Sequence, residues 1–172
     1  MAWILMLALA ALAAAVAMAA RRGLAALQDS KQEAWGALES QLVKRQELLA
    51  QIVALCAKAM RDEPETLDRV SIAGSAVLAA AKRTNIAALA AADKTLRAAV
   101  ATQFGRAAYH PQLATSAAFT ALRERVATLD ARVDERREQY NAAVSVLNFR
   151  CHAFPYSLVA RSMGMEPAAF LP

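Results

Sequence analysis

Polar and apolar positions alternate along this chain in a way that changes abruptly at Arg21. Residues 1–20 carry no charged side chain, so all 20 Lys+Arg and all 15 Asp+Glu lie beyond them. The run Ala2 to Ala20 would span about 28 Å as a helix, close to the ~30 Å hydrocarbon core of a bilayer. After it, Trp35, Leu38, Leu42, Leu49, Ile52, Cys56 and Ala59 recur in steps of three and four, with Arg45 falling on the same seam. That spacing predicts one face of a helix from Asp29 to about Arg61, with Asp29 or Ser30 capping its start. Asp62-Glu63-Pro64-Glu65 then breaks the pattern, and proline and acids in a first turn open a second helix through Leu67, Val70, Val77 and Leu78 to about Lys82. A polar turn, Lys82 to Asn85, leads to a third helix with Ile86, Leu89, Leu96, Val100 and Phe104, ending near Gly105 to Ala108.

Pro111 marks the next reversal and the longest stripe: Phe119, Leu122, Val126, Leu129, Val133, Tyr140, Val144, Leu147, Cys151, Phe154. It predicts a fourth helix continuous from Pro111 to Ala153, about 60 Å long. A stripe of that length must be covered, and short connections favour antiparallel neighbours. The expected fold is all-α, an antiparallel four-helix bundle with two long and two shorter helices. Rise arithmetic from the shared top at Asp62 and Pro111 puts Trp35 and Tyr140 at one level, about 40 Å down. The same arithmetic leaves Cys56 and Cys151 about 50 Å apart, too far for a disulfide. The shorter helices leave the lower stripe bare. The tail is expected to fold back over it with Phe154, Pro155, Tyr156, Leu158, Val159, Met163 and Phe170, after a helix stop at Gly164.

Composition agrees with the pattern. Hydrophobic residues make up 58%, of which 45 residues are alanine, while aromatics are only 6%. Alanine is the best helix former, and the shortage of β-branched and aromatic residues argues against sheet. Two cysteines are too few for a disulfide scaffold.

The apolar terminus has three readings, of which a buried helix in a soluble core is disfavoured by the run's place at the extreme terminus before a basic pair. Ala15-Val16-Ala17 and Ala17-Met18-Ala19 fit a signal-peptide cleavage site, which would release a secreted soluble bundle. Against cleavage, no Lys or Arg precedes the run, and Arg21-Arg22 follow it at once. Both features favour a retained anchor, residues 1–22, with the N-terminus outside. The chain is then a single-pass protein of the inner (cytoplasmic) membrane, with residues 23–172 forming the bundle domain on the cytoplasmic side. Arg21, Arg22 and Lys31 are placed to meet anionic lipid headgroups. The net charge of +5 does not imply nucleic acid, because acids are interleaved throughout, as in Asp134-Glu135-Arg136-Arg137-Glu138.

Polar residues on the seams are the candidates for special roles. Arg45, Arg137, Asn141 and Asn148 lie on or beside apolar stripes, where an unpaired polar group costs several kcal/mol. Arg137 is expected to pair with a first-helix acid such as Glu39. Asn141 and Asn148, seven apart on one face, are expected to hydrogen-bond the backbone of the folded-back tail. The alternative use of these residues is a partner-binding patch.

Two blocks resemble the LemA family. One runs from Trp35 through Gln41-Leu42-Val43-Lys44-Arg45-Gln46-Glu47-Leu48-Leu49-Ala50-Gln51-Ile52-Val53 to Glu63, Leu67 and Val70. The other runs from Phe119 and Leu122 through Asp130, Val133 and Arg137 to Tyr140-Asn141-Ala142-Ala143-Val144, Asn148, Phe154-Pro155 and Val159-Ala160. Ala50 stands where the family carries a proline, so no kink is forced there. The resemblance implies a membrane-anchored four-helix bundle with a short outside N-terminus, with Tyr140, Phe154 and Pro155 marking the contact to the tail. It supplies no catalytic residues.

Nothing in the spacing suggests catalysis or a cofactor. His110 and His152 sit near opposite ends of the fourth helix, and there is no Glu-x-x-His pair, Cys-x-x-Cys or phosphate-binding glycine loop. Cys151-His152 point about 100° apart on a helix. The expected role is a non-enzymatic, membrane-tethered scaffold for a protein partner, another membrane protein being one candidate, with homo-oligomer formation left open. The rival is an envelope enzyme or accessory factor whose site forms only in a complex. An uncovered Ala/Leu face fits the first, and a concave pocket with convergent polar groups fits the second.

Overall fold

The first helix, α1 (Ala2–Ala57), runs 56 residues without interruption. In the computed structural model of residues 1–172 it is followed by α2 (Pro64–Lys82), α3 (Ile86–Ala107), α4 (Pro111–Ala114), α5 (Ala117–His152) and α6 (Tyr156–Ser162). No strand is present, so the chain is all-α. The helix start expected at Asp29 or Ser30 is absent. The flanking Ala, Leu, Gln and Lys are good helix formers and no proline intervenes, so a polar side chain alone does not stop the helix. A break does occur where the fourth helix was expected to be continuous. Pro111 opens only the single turn of α4, and α5 restarts at Ala117. There the Ser116 hydroxyl accepts the Phe119 N–H at 3.2 Å, and the Thr115 hydroxyl donates to the Pro111 carbonyl at 2.9 Å. Such local side-chain bonds compete with helix continuation.

The chain divides into two compact units, residues 1–35 with 139–170, and residues 36–138 with 171–172. In the second, four long helical segments bury one face each: residues 36–57 of α1, α2, α3, and residues 117–138 of α5. The buried positions are those of the stripes, among them Leu38, Leu42, Leu49, Ile52 and Cys56 from α1 and Phe119, Val126 and Val133 from α5. Pro64 supplies the first turn of α2, and the Asn85 side chain caps α3 by accepting the Ala88 N–H at 3.0 Å. Gly74 of α2 lies so close to α1 that a Cβ there would collide with the Gln46 amide.

In the first unit, residues 1–19 are exposed, and burial begins with Ala20 and Leu24. This part of α1 holds the helix long and apolar enough to cross a membrane. The Trp35 and Tyr140 rings meet edge to face with centroids 5.2 Å apart, so the two do share a level. Gly164, at φ +63°, ends the last helical turn, as only glycine does without strain, and the chain turns back along α5. The tail covers the stripe only in part: Pro155, Tyr156, Val159 and Met163 are half-buried and Leu171 is buried. Phe154, Leu158 and Phe170 are exposed, while Ala160 is buried and the tail's backbone carries the polar contacts. Small residues pack where helices lie close, and Phe154, just past the end of α5, is not opposed by another segment.

Candidate functional site

Arg45 is the one charged side chain in the buried core, 2% exposed in the middle of the second unit. Its position follows from the α1 stripe, which places residue 45 between Leu42 and Leu49 on the packed face. One guanidinium nitrogen donates to Asp130 of α5 at 3.0 Å, and the other donates to Asp93 of α3. The second Asp93 oxygen accepts from Arg97 Nε at 2.8 Å, one turn on. Arg97 reaches across to Asp134 of α5 at 2.7 Å. Arg137 lies 3.7 Å from the same carboxylate and donates to the main-chain oxygen of Pro172 at 3.3 Å. Three arginines and three aspartates thus join α1, α3, α5 and the last residue of the tail. Arg137 does not pair with Glu39: Asp134, one turn away on its own helix, offers a nearer carboxylate.

The electrostatics follow from this geometry. Burial works to raise the Asp93 pKa, but Arg45 and Arg97 outweigh it and hold the carboxyl below its ordinary value. Burial likewise works against the Arg97 charge, and Asp93 and Asp134 more than restore it. Every carboxylate in the chain of contacts is engaged by a guanidinium, so none stands free as a base. No cluster of three or more His, Cys, Asp or Glu side chains is placed to hold a metal ion.

Higher in the same unit, Gln103 of α3 is fully buried and its amide meets no hydrogen-bonding group other than the Cys56 thiol. The Cys56 thiol faces it. Burial pushes that thiol up, and the Gln103 contact only partly offsets this, so Cys56 stays a protonated core residue. Cys151 is also free and is likewise pushed up by burial.

In the first unit, Asn148 holds the tail as expected: it donates to the Ala168 carbonyl and accepts the Ala168 N–H, both at 2.9 Å. The Tyr140 hydroxyl donates to the Ala169 carbonyl at 3.2 Å. Asn141 is half-buried and also engaged. Pro155 precedes α6, whereas Phe154, the other aromatic expected at the tail contact, faces outward. Arg21 and Arg22 are exposed and Lys31 is half-buried.

The model of the LemA family matches residues 34–172, most of the chain and all of the polar network just described. The chain belongs to the LemA family. No match was found among curated proteins. The LemA match begins one residue before Trp35, so the apolar run of α1 lies outside it.

The acidic half of the network, Asp93 and Asp134 with their partner Arg97, escapes a reading of the first and last stripes alone. A signal was nevertheless present in α3. Leu89, Asp93, Leu96, Val100, Gln103 and Ala107 recur in steps of three and four, which puts Asp93 and Gln103 on the buried face.

Proposed function

We propose that this LemA-family protein is a membrane-tethered helical scaffold without catalytic activity, built as a four-helix bundle on a single N-terminal anchor. The observation that carries the reading is the change along α1. Its first 19 residues expose an unbroken apolar surface, and from Ala20 onward the same helix buries one face against the rest of the chain. An apolar surface of that length is costly in water and suited to a bilayer. The basic pair Arg21-Arg22 favours keeping the bundle in the cytoplasm of a cell whose inner membrane holds the anchor. Arg21, Arg22 and Lys31 then lie near anionic headgroups.

The scaffold role rests on how the polar groups are used. The arginine–aspartate chain is satisfied internally, which suits fixing the register of long helices that would otherwise slide. A surface depression of about 530 Å³ between the outer faces of α2 and α3 is lined mainly by Ala and Thr around Ile72. Polar groups do not converge there as a reaction would require, which favours presentation of a surface to a protein partner over chemistry.

Membrane fractionation, reporter fusions at both termini and photo-crosslinking from position 72 in intact cells test this. The expected result is an integral membrane protein with a cytoplasmic C-terminus and a discrete crosslinked protein. A soluble species beginning near Ala20 overturns the anchor, and a clean monomer under several crosslinkers overturns the scaffold.

A further inference from the structure

The first unit carries large apolar side chains that no part of the chain covers. Phe149 is 73% exposed at the end of α5, Phe154 82% exposed in the corner that follows, and Leu158 60% exposed on α6. Their height relative to the anchor is set by a close contact. The Tyr156 ring lies 3.2 Å from where a Cβ on Gly23 would stand, so α6 packs on α1 at Gly23. Gly23 is three residues, about 4.5 Å of helix, beyond the last residue of the apolar run. The exposed aromatic corner therefore sits at the level where the anchor would leave the hydrocarbon.

Charge at that level has one prevailing sign. Arg21, Arg22, Arg150 and Arg161 are all exposed there, and Glu166 is the single acid among residues 20–24 and 149–166. The Arg150 guanidinium lies over the Tyr156 ring, 5.0 Å from its centroid, which braces the corner against α6. Aromatic and aliphatic side chains flanked by arginines are suited to the bilayer interface, where apolar groups enter the headgroup boundary and cations meet phosphates.

We propose that the α5–α6 corner is a second membrane contact. Phe149, Phe154 and Leu158 enter the interface of the bilayer that holds the anchor, and Arg21, Arg22, Arg150 and Arg161 engage its anionic headgroups. The inference rests on the anchor reading above and adds to it a docked, rather than freely swivelling, C-terminal corner. It also gives exposed Phe154 a role that tail packing does not.

Spin labels on the full chain test it, in vesicles of phosphatidylcholine with phosphatidylglycerol and in phosphatidylcholine alone. Labels are placed one at a time through Leu9→Cys, Ile72→Cys, Phe149→Cys, Phe154→Cys and Leu158→Cys in a Cys151→Ser chain, Cys56 being fully buried. Collision with oxygen, which concentrates in lipid, is compared with collision with a water-soluble nickel complex. The expected result is an oxygen-to-nickel ratio at 149, 154 and 158 several-fold above that at 72 and below that at 9. Arg161→Gln should lower the ratio at 154 in the anionic vesicles and leave it unchanged in phosphatidylcholine alone. A lipid-like ratio at 9 with water-like ratios at 149, 154 and 158 overturns this proposal and spares the anchor. A water-like ratio at 9 overturns both. Labels at 154 and 158 shielded from both reagents, with dipolar broadening between copies, assign the corner to a second copy and overturn the lipid contact.

Discussion

Asn148 and Ala168 exchange two hydrogen bonds, the side-chain amide donating to the Ala168 carbonyl and accepting its N–H, each at 2.9 Å. A side chain of α5 thereby takes the place of a neighbouring strand for an extended tail that has no backbone partner of its own. Asn is the residue that offers a donor and an acceptor in one plane at that reach. Asn148→Ala should strip both bonds and cost about 1–3 kcal/mol. The loss should be local, with the Ala168 amide exchanging hydrogen much faster while the α2 and α3 amides keep their protection. An Ala168 amide that stays equally protected in the variant would show that the pair is incidental. Unchanged stability together with loss of a binding partner would assign Asn148 to recognition instead.

Arg45 makes a different prediction, because its charge is buried. Arg45→Ala leaves Asp130 without its guanidinium and Asp93 with only Arg97. Breaking a buried pair from one side costs about 3–5 kcal/mol. The low end applies here, since the Asp93 and Asp130 side chains keep 20% and 30% of their exposure. Replacing Arg45, Asp93 and Asp130 together by Leu should be far less damaging than Arg45→Ala, because no unpaired charge remains. Urea unfolding of the detergent-solubilised chain measures both. Equal losses in the two variants would mean that packing, not charge, is what Arg45 supplies.

The same network ties stability to acid. Asp93 is held below its ordinary pKa because Arg45 and Arg97 outweigh the effect of burial. An unfolded aspartate titrates near about 3.9, so on acidification the unfolded chain takes up its proton first. The stabilisation is therefore complete above about pH 4 and is lost as pH falls through the folded value. Asp93→Asn should lower stability at neutral pH and flatten its decline below about pH 4. Thermal melts across that range check the slope, and an identical slope in the variant would remove Asp93 from the acid response.

What was legible in the sequence was whatever depends on spacing. The Trp35–Tyr140 level, the opening of α2 at Pro64, the Asn85 turn and the tail's return to Asn148 all follow from rise per residue and local backbone chemistry. Partner choice was not legible in the same way. Arg137 lies near enough in height to Glu39 to suggest a pair, yet sequence separation says nothing of which way a side chain turns, and Asp134 lies on the same helix surface. Asp29 and Ser30 carry good caps in a stretch that never needs one. Thr115 and Ser116 interrupt the helix ahead of Phe119, where the apolar stripe begins, so the stripe carried no information on whether the backbone runs unbroken back to Pro111. Phe154 fits the apolar repeat and is nonetheless exposed, since periodicity loses its meaning beyond the helix that produces it, and α5 ends two residues earlier at His152.

Gly74 and Gln46 give the sharpest packing test. A Cβ at position 74 would fall 1.8 Å from the Gln46 side-chain oxygen, which is itself buried without a hydrogen-bond partner. Gly inside a helix costs about 1 kcal/mol relative to Ala, so Gly74→Ala carries a propensity gain that the clash opposes. The obstacle is the end of a flexible side chain, not backbone, and removing it should release the gain. Gly74→Ala alone should be neutral to destabilising. In a Gln46→Ala chain the same change should stabilise by about 1 kcal/mol. The two residues should therefore show a coupling energy of about 1 kcal/mol or more in a double-mutant cycle followed by urea unfolding. Additive effects would mean that α1 and α2 do not approach as closely at Gly74 as the Gln46 contact requires.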